Sequence, residues 1–400
     1  MRIAHFPTHP PPAALKPVIP TAFRRGLASR AHTTAIIQSL ARPSLSRPCR
    51  IFNTVTSASR QNGRRSMFTE TLPTVLVPPA MFMTCFLGLW SYKIIMTIIF
   101  QNKFIYMPYM PPFARSEKIE DYAAACKPVQ WQEKRIQSLD NTRISLCVGT
   151  MPSLPGDHAK MDRKHVVVIY FQGNGASLPP RLPALTGVLR ALYETPGADF
   201  PVYSIVALSY RGFWKSKGKA SQKGIELDAQ ATLAWVQENF PAAQVVFWGQ
   251  SLGAGVAADL VARRLVAASR RESSGSQGNI AGLVLETPFI GIKDMLLALY
   301  PQKWLPYRYL WPFLRNWWDT DAALRKIAAF RGDRNLPIQI ITAARDEIVP
   351  ASQGNHLHDL CKELQLDVRR RDVLGALHNE VPGKPEGRGS VVSFIREVTT

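Results

Sequence analysis

Between His165 and Thr342 the chain carries five short, near-continuous apolar runs, with longer stretches of helical character between them. The runs are His165–Phe171, Tyr203–Ser209, Val245–Trp248, Gly282–Glu286 and Pro337–Thr342. Runs without polar alternation suit strands buried on both faces, which is how strands of a parallel sheet read. Helical stretches lie between them at Arg181–Tyr193, Lys223–Asn239 and Leu252–Ala268. Strand and helix in alternation predict an α/β fold with a mostly parallel central sheet flanked by helices. Upstream, Trp131–Gln137 and Thr142–Val148 read as a hairpin, and Asp367–Leu374 as a final strand.

The third run leads directly into Gly249-Gln250-Ser251-Leu252-Gly253. A bare Gly-x-Ser-x-Gly is weak, since a chain of this composition shows about 0.1 matches by chance. Here VVFW precedes it and GAGVAADLVARRL follows it, giving the strand–turn–helix in which a serine is exposed on a tight elbow. Glycines flank it because nothing larger fits, and the helix N-terminus favours negative charge developing nearby. The competing reading is a glycine-rich structural turn. Partners are expected in the order Ser, acid, His. Asp346 follows the run Pro337–Thr342, and His378 follows the last strand, 32 residues later. Ser251, Asp346 and His378 are therefore the predicted catalytic residues. Glu286, at the end of its strand, is the fallback acid. His356 and His358 fall in the helix-like SQGNHLHDL and read as surface residues. The predicted oxyanion hole is the backbone N–H of Leu252, with a second from Asn174 in the loop Phe171–Gly175.

Charge excludes a nucleic-acid partner by its distribution. The net charge is +20, but residues 1–69 hold eleven Lys or Arg and no acid. The remaining 331 residues carry +9, without a tract of alternating basic and aromatic residues. The leader, rich in Arg, Ser, Thr, Ala and Pro, fits a mitochondrial presequence or a disordered basic tail. Translation from Met67 would remove it and point to the endomembrane system. Next comes the apolar stretch Val75–Phe100. Its 21 residues from Ala80 span about 31 Å as a helix, close to one hydrocarbon thickness. A single transmembrane helix over 75–100 is expected, with Lys93 near enough to the end to snorkel. Basic residues flank both ends (Arg64 and Arg65; Lys103, Arg115 and Lys118), so charge assigns no orientation. Residues 101–128 read as a proline-interrupted linker and 129–400 as the folded domain. Arg270–Asn279 reads as an exposed Ser/Gly-rich loop. Cys126, Cys147 and Cys361 read as small buried hydrophobes, and no spacing suits a metal, so neither metal nor cofactor is predicted.

Several motifs, in order, resemble the membrane-anchored α/β-hydrolases of the bud-emergence-suppressor type, related to the serine aminopeptidase-like hydrolases. They are IYMPYMP, FQGNG, the Tyr-Arg-Gly run within Ser209–Val236, GQSLGAGVA, LETPF and ARDEIVP, and they cover about Phe104 to the C-terminus. The resemblance implies the α/β-hydrolase fold and serine-hydrolase chemistry. It also marks a departure: Gln172 stands where the family usually has His. Tyr210, Arg211 and Asp228 match family positions and read as architectural. A small aromatic-rich helical cap is expected at about 291–330, centred on YPQKWLPYRYLWPFLRNWWD. Its four Trp suit an acyl-chain pocket, a membrane interface or plain packing on the core. The expected function is hydrolysis of an ester or thioester of a lipid or acylated substrate at a membrane. The alternatives are an amidase or peptidase with the same residues, and a non-catalytic scaffold, which the intact Ser251/Asp346/His378 set argues against.

Overall fold

The computed structural model describes residues 74–152, 163–175, 177–194, 201–270, 279–332 and 335–400. The basic leader, with its presequence reading and Met67, lies outside the described residues, as does 271–278 of the predicted loop.

Eight strands form one sheet: β1 (Gln130–Gln137), β2 (Arg143–Thr150), β3 (His165–Phe171), β4 (Val202–Ser209), β5 (Gln244–Gln250), β6 (Ile280–Glu286), β7 (Ile338–Ala343) and β8 (Val368–Val373). Their order is β1-β2-β4-β3-β5-β6-β7-β8. The β1–β2 hairpin is antiparallel and β2 runs antiparallel to β4; all later pairings are parallel. This is the fold read from the alternation. The lack of polar alternation in these runs is explained by burial on both faces. In β3, Val167, Ile169 and Phe171 enter one core while Val166, Val168 and Tyr170 enter the other. The first core packs under α4 (Gln222–Asn239), α5 (Leu252–Ser269), α7 (Thr320–Phe330) and α8 (Ala351–Glu363); the second lies under α3 (Leu182–Tyr193) and α9 (Pro385–Thr399). Cys126, Cys147 and Cys361 are buried, as expected of small apolar side chains.

Thr74–Ile99 is a helical stretch of 26 residues, long and apolar enough to cross a membrane. Its α-helix, α1 (Val77–Ile99), buries none of its residues fully. The segment read as a linker does more than connect. It opens with α2 (Gln101–Tyr106), whose Tyr106 is completely buried. The Tyr106 hydroxyl donates to Asn316 Oδ1 (2.9 Å) and accepts from Trp318 Nε1 (2.9 Å). The predicted cap resolves into α6 (Ile292–Leu299), short 3₁₀ turns at Pro306–Tyr309 and Trp311–Phe313, and α7, which belongs to the core layer. Its tryptophans divide: Trp318 packs into the core, whereas Trp304, Trp311 and Trp317 are exposed.

The Tyr-Arg-Gly motif is structural. Arg211 reaches Asp228 Oδ1 at 2.8 Å and Asp140 Oδ2 at 2.7 Å, with Asp228 fully buried and Asp140 partly open. Its Nη2 also donates to Ser138 Oγ (3.1 Å). Tyr210 donates its hydroxyl to the Gln172 carbonyl at 2.8 Å, bracing the loop after β3. Removing one partner of a buried pair strands the other's charge, whereas a surface partner is replaced by water. Asp228→Ala should therefore cost about 3 kcal/mol in urea unfolding, and Asp140→Ala less than about 1 kcal/mol.

Candidate active site

β5 ends and α5 begins at a backbone turn whose pivot is Ser251, with φ 51° and ψ −115°. A β-carbon residue in that region is strained, a cost that persists only where packing over-determines the conformation. The flanking glycines show the packing responsible. A Cβ on Gly249 would meet the Gly253 carbonyl oxygen at 2.2 Å, and one on Gly253 would meet the Phe171 carbonyl oxygen at 2.0 Å. Main chain therefore presses on main chain from both sides, and Ser251 is turned up at the C-terminal edge of the sheet. Its N–H continues the ladder to the Glu286 carbonyl at 2.8 Å.

His378 is buried in the loop after β8, and its Nδ1 lies 2.8 Å from Asp346 Oδ2 and 3.0 Å from Oδ1. Asp346 sits just past β7 and accepts from the N–H groups of Ile348 (2.9 Å) and Val349 (2.7 Å). Burial pushes the Asp346 carboxyl up, but His378 and these two N–H groups outweigh it and hold the group below its ordinary value. A carboxylate at this imidazole nitrogen fixes Nδ1–H as the donor and leaves Nε2 free to take a proton. Glu347 Oε2 accepts from the His378 N–H at 3.0 Å. The histidine loop is tied to the elbow by one side chain, since Gln250 Nε2 donates to Asn379 Oδ1 at 3.1 Å. Arg181 donates to the same oxygen at 2.9 Å, and Tyr170 donates its hydroxyl to Gln250 Oε1 at 3.1 Å. Sequence reasoning missed Gln250, Asn379, Tyr170 and Arg181. Their residue types carry no motif; only their meeting across 129 residues gives them a role.

Ser251, Leu252 and Asn174 line one cavity of about 1030 Å³. The Asn174 loop is braced from outside the sheet. Asn174 Nδ2 donates to the Ile105 carbonyl (3.3 Å), and the Gly175 N–H donates to the Tyr106 carbonyl (2.9 Å). Gln172, the departure from the family pattern, is buried, and neither of its side-chain polar atoms has a partner among the described residues. The cavity is mainly apolar, with Phe289, Met295, Leu296, Leu310 and Leu314 among its walls. The surface reading of His356 fits its place on exposed helix, 2.8 Å from Asp321.

Glu286, the fallback acid, is turned elsewhere. It is fully buried, accepts from Trp248 Nε1 at 2.8 Å, and leaves Oε1 without a partner among the described residues. Burial pushes its carboxyl up to about 7, against the Trp248 hydrogen bond and the Arg181 charge.

A sheet of this order with a serine on a strained strand–helix elbow is the α/β-hydrolase fold. The α/β-hydrolase of Vibrio vulnificus shares it, with a TM-score of 0.51 at 16% identity over 75% of this chain and 91% of that one. No protein-family profile matches the chain. Among curated proteins it is 29% identical over 196 residues to protein bem46 of Schizosaccharomyces pombe, covering 48% of this chain and 56% of that protein. It is 29% identical over 246 residues to the lysophosphatidylserine lipase ABHD12 of Danio rerio, covering 60% and 52%. It is 25% identical over 274 residues to the α/β-hydrolase domain-containing protein WAV2 of Arabidopsis thaliana, covering 66% and 76%. The chain spans about half the length of the first two. These relatives are α/β-hydrolase domain proteins of the bud-emergence-suppressor type, the family that the motifs resemble.

Because its folded-state carboxyl titrates higher than the unfolded one, Glu286 favours folding at low pH. That contribution is lost as pH rises from the ordinary carboxylate range through about 7. The stability of Glu286→Gln relative to wild type should therefore rise between pH 5 and pH 8, by on the order of 3 kcal/mol at most. Thermal melts across that range check it; parallel profiles for the two proteins would refute it.

Proposed function

We propose that the chain is a membrane-tethered serine hydrolase that cleaves carboxylic esters or thioesters with an apolar acyl group, through an acyl-enzyme. The observation that carries this reading is Ser251, raised at positive φ into a large apolar cavity. His378 takes the proton of Ser251 as its oxygen attacks the acyl carbonyl, and Asp346 holds the imidazole tautomer. The oxyanion is met by the N–H groups of Leu252 and Asn174. Collapse expels the alcohol or thiol, which leaves with the proton held by His378. Water then attacks the acyl-enzyme, again giving its proton to His378, and Ser251 is regenerated as the acid departs. The lipase name of ABHD12 supports a lipid or acylated substrate, and α1 supports the tether. A peptidase would use the same three residues, but the mainly apolar lining favours an acyl chain over a peptide, whose backbone needs hydrogen-bonding partners. The basic leader keeps a mitochondrial membrane as the proposed address, or the endomembrane system if translation starts at Met67. N-terminal sequencing of the mature protein separates the two.

A fluorophosphonate probe should label the wild type and leave Ser251→Ala unlabelled. Asp346→Asn should slow turnover of a long-chain ester by about 10⁴-fold. Folded wild-type protein that takes no label at Ser251 would leave only the scaffold reading, and faster turnover of peptides than of lipid esters would favour the amidase.

A further inference from the structure

The helix read as an anchor is also part of the pocket. From Val77 to Gly88, about 18 Å of α1, the side chains are exposed apart from Ala80. From Leu89 onward the helix runs beside the cap, and Ile94, Met96, Thr97 and Ile98 are half-buried. On this half, Leu89, Tyr92, Lys93, Met96 and Phe100 recur at helical spacing and line the same cavity as Ser251. The opposite wall is α6, whose Ile292, Met295, Leu296 and Leu299 form one stripe, continued by Leu310 and Phe313. Lys93 is the only charged side chain in the lining among the described residues, and its ammonium lies over the Tyr307 ring of the cap, 5.5 Å from the centroid.

This juxtaposition is held by a polar joint at the end of α1. Arg315 donates to the carbonyls of Ile98 (3.1 Å) and Ile99 (2.8 Å), satisfying acceptors the helix end leaves open. Gln101 donates to the Phe313 carbonyl (3.0 Å) and accepts from the Arg315 N–H (2.7 Å), while Asn316 donates to Asn102 Oδ1 (2.7 Å). The helix is therefore posed against the cap. The rim is apolar and open: Leu299, Phe313 and Phe104 are each more than half exposed, continuing outward the apolar surface of α1.

Resting on the hydrolase reading of Ser251, we propose that α1 is one wall of the acyl-chain site. The acyl chain of a bilayer lipid then enters sideways, through the seam between Leu89–Phe100 and the cap. The posed half of α1 is about 16 Å long, close to half of the roughly 30 Å hydrocarbon core, so the seam opens at the depth of one leaflet. A chain moving from leaflet to cavity passes mainly apolar side chains, with Lys93 held over the Tyr307 ring beside the path, whereas a route through water exposes every methylene.

The test uses the full chain in phospholipid vesicles. A long-chain fluorophosphonate with a diazirine at its far end is attached to Ser251 and photolysed. The crosslink should fall on the peptide containing residues 89–100; crosslinks confined to other parts of the domain would overturn the proposal. In parallel, Leu89→Trp and Met96→Trp fill the wall, and Ile95→Trp alters an exposed position outside the lining. The first two should lower the ratio of long-chain to short-chain ester turnover at least tenfold, and Ile95→Trp should leave it unchanged. An unchanged ratio in labelled, folded Leu89→Trp and Met96→Trp overturns the wall alone. Absence of any Ser251-dependent label in the wild type instead removes the hydrolase reading and the proposal with it.

Discussion

The close approach of main chain to main chain at the elbow is the constraint on which the rest depends. The α5 start crosses the ends of β3 and β5 so tightly that neither Gly249 nor Gly253 has room for a Cβ. That contact forces Ser251 into its strained turn, and the strain is maintained because the surrounding sheet is buried on both faces. Everything else in the site is placed relative to this point. The loop after β3 passes beside it, the β6 ladder continues through the Ser251 N–H, and Gln250 reaches across to the histidine loop.

A second junction joins this rigid centre to the apolar helix. The α2 segment is gripped on one side by Asn316 and Trp318 of the cap, and on the other its carbonyls hold Asn174 and Gly175. The same six residues thus end α1, support the cap and brace the loop offered as half of the oxyanion hole. Neutral amide and hydroxyl groups suit such a place, because each bond is satisfied locally without burying an unpaired charge.

The sheet and the elbow were legible in the sequence because each rests on local pattern, apolar runs and a Gly-Ser-Gly spacing, and the meeting of Asp346 with His378 follows from their positions just past strand ends. The cap was legible only as composition. Its four Trp stand out in the sequence, yet its contribution to the cavity lining is aliphatic residues together with Tyr300, Tyr307 and Phe313. Which large residue faces inward depends on helix phase and on what lies opposite, and the short 3₁₀ turns of this region set no sustained period. The pocket-facing side of α1 was hidden for a related reason, since a helix apolar all round displays no preferred face. The Gln250–Asn379 and Arg315–helix contacts join residues far apart in the chain, which no local spacing encodes.

The way Asp346 is held has a consequence for how such a site tolerates change. Its carboxylate is oriented by the main-chain N–H groups of residues 348 and 349, and a main-chain donor is supplied by every residue type except proline. The aim of the carboxylate therefore does not depend on the side chains of Ile348 and Val349, which answer to other demands, Ile348 lining the cavity and Val349 packing in the core. The place of this carboxylate beside His378 is written in the path of the backbone more than in the letters beside it. In a chain with a different loop sequence it is to be sought by its distance to the imidazole.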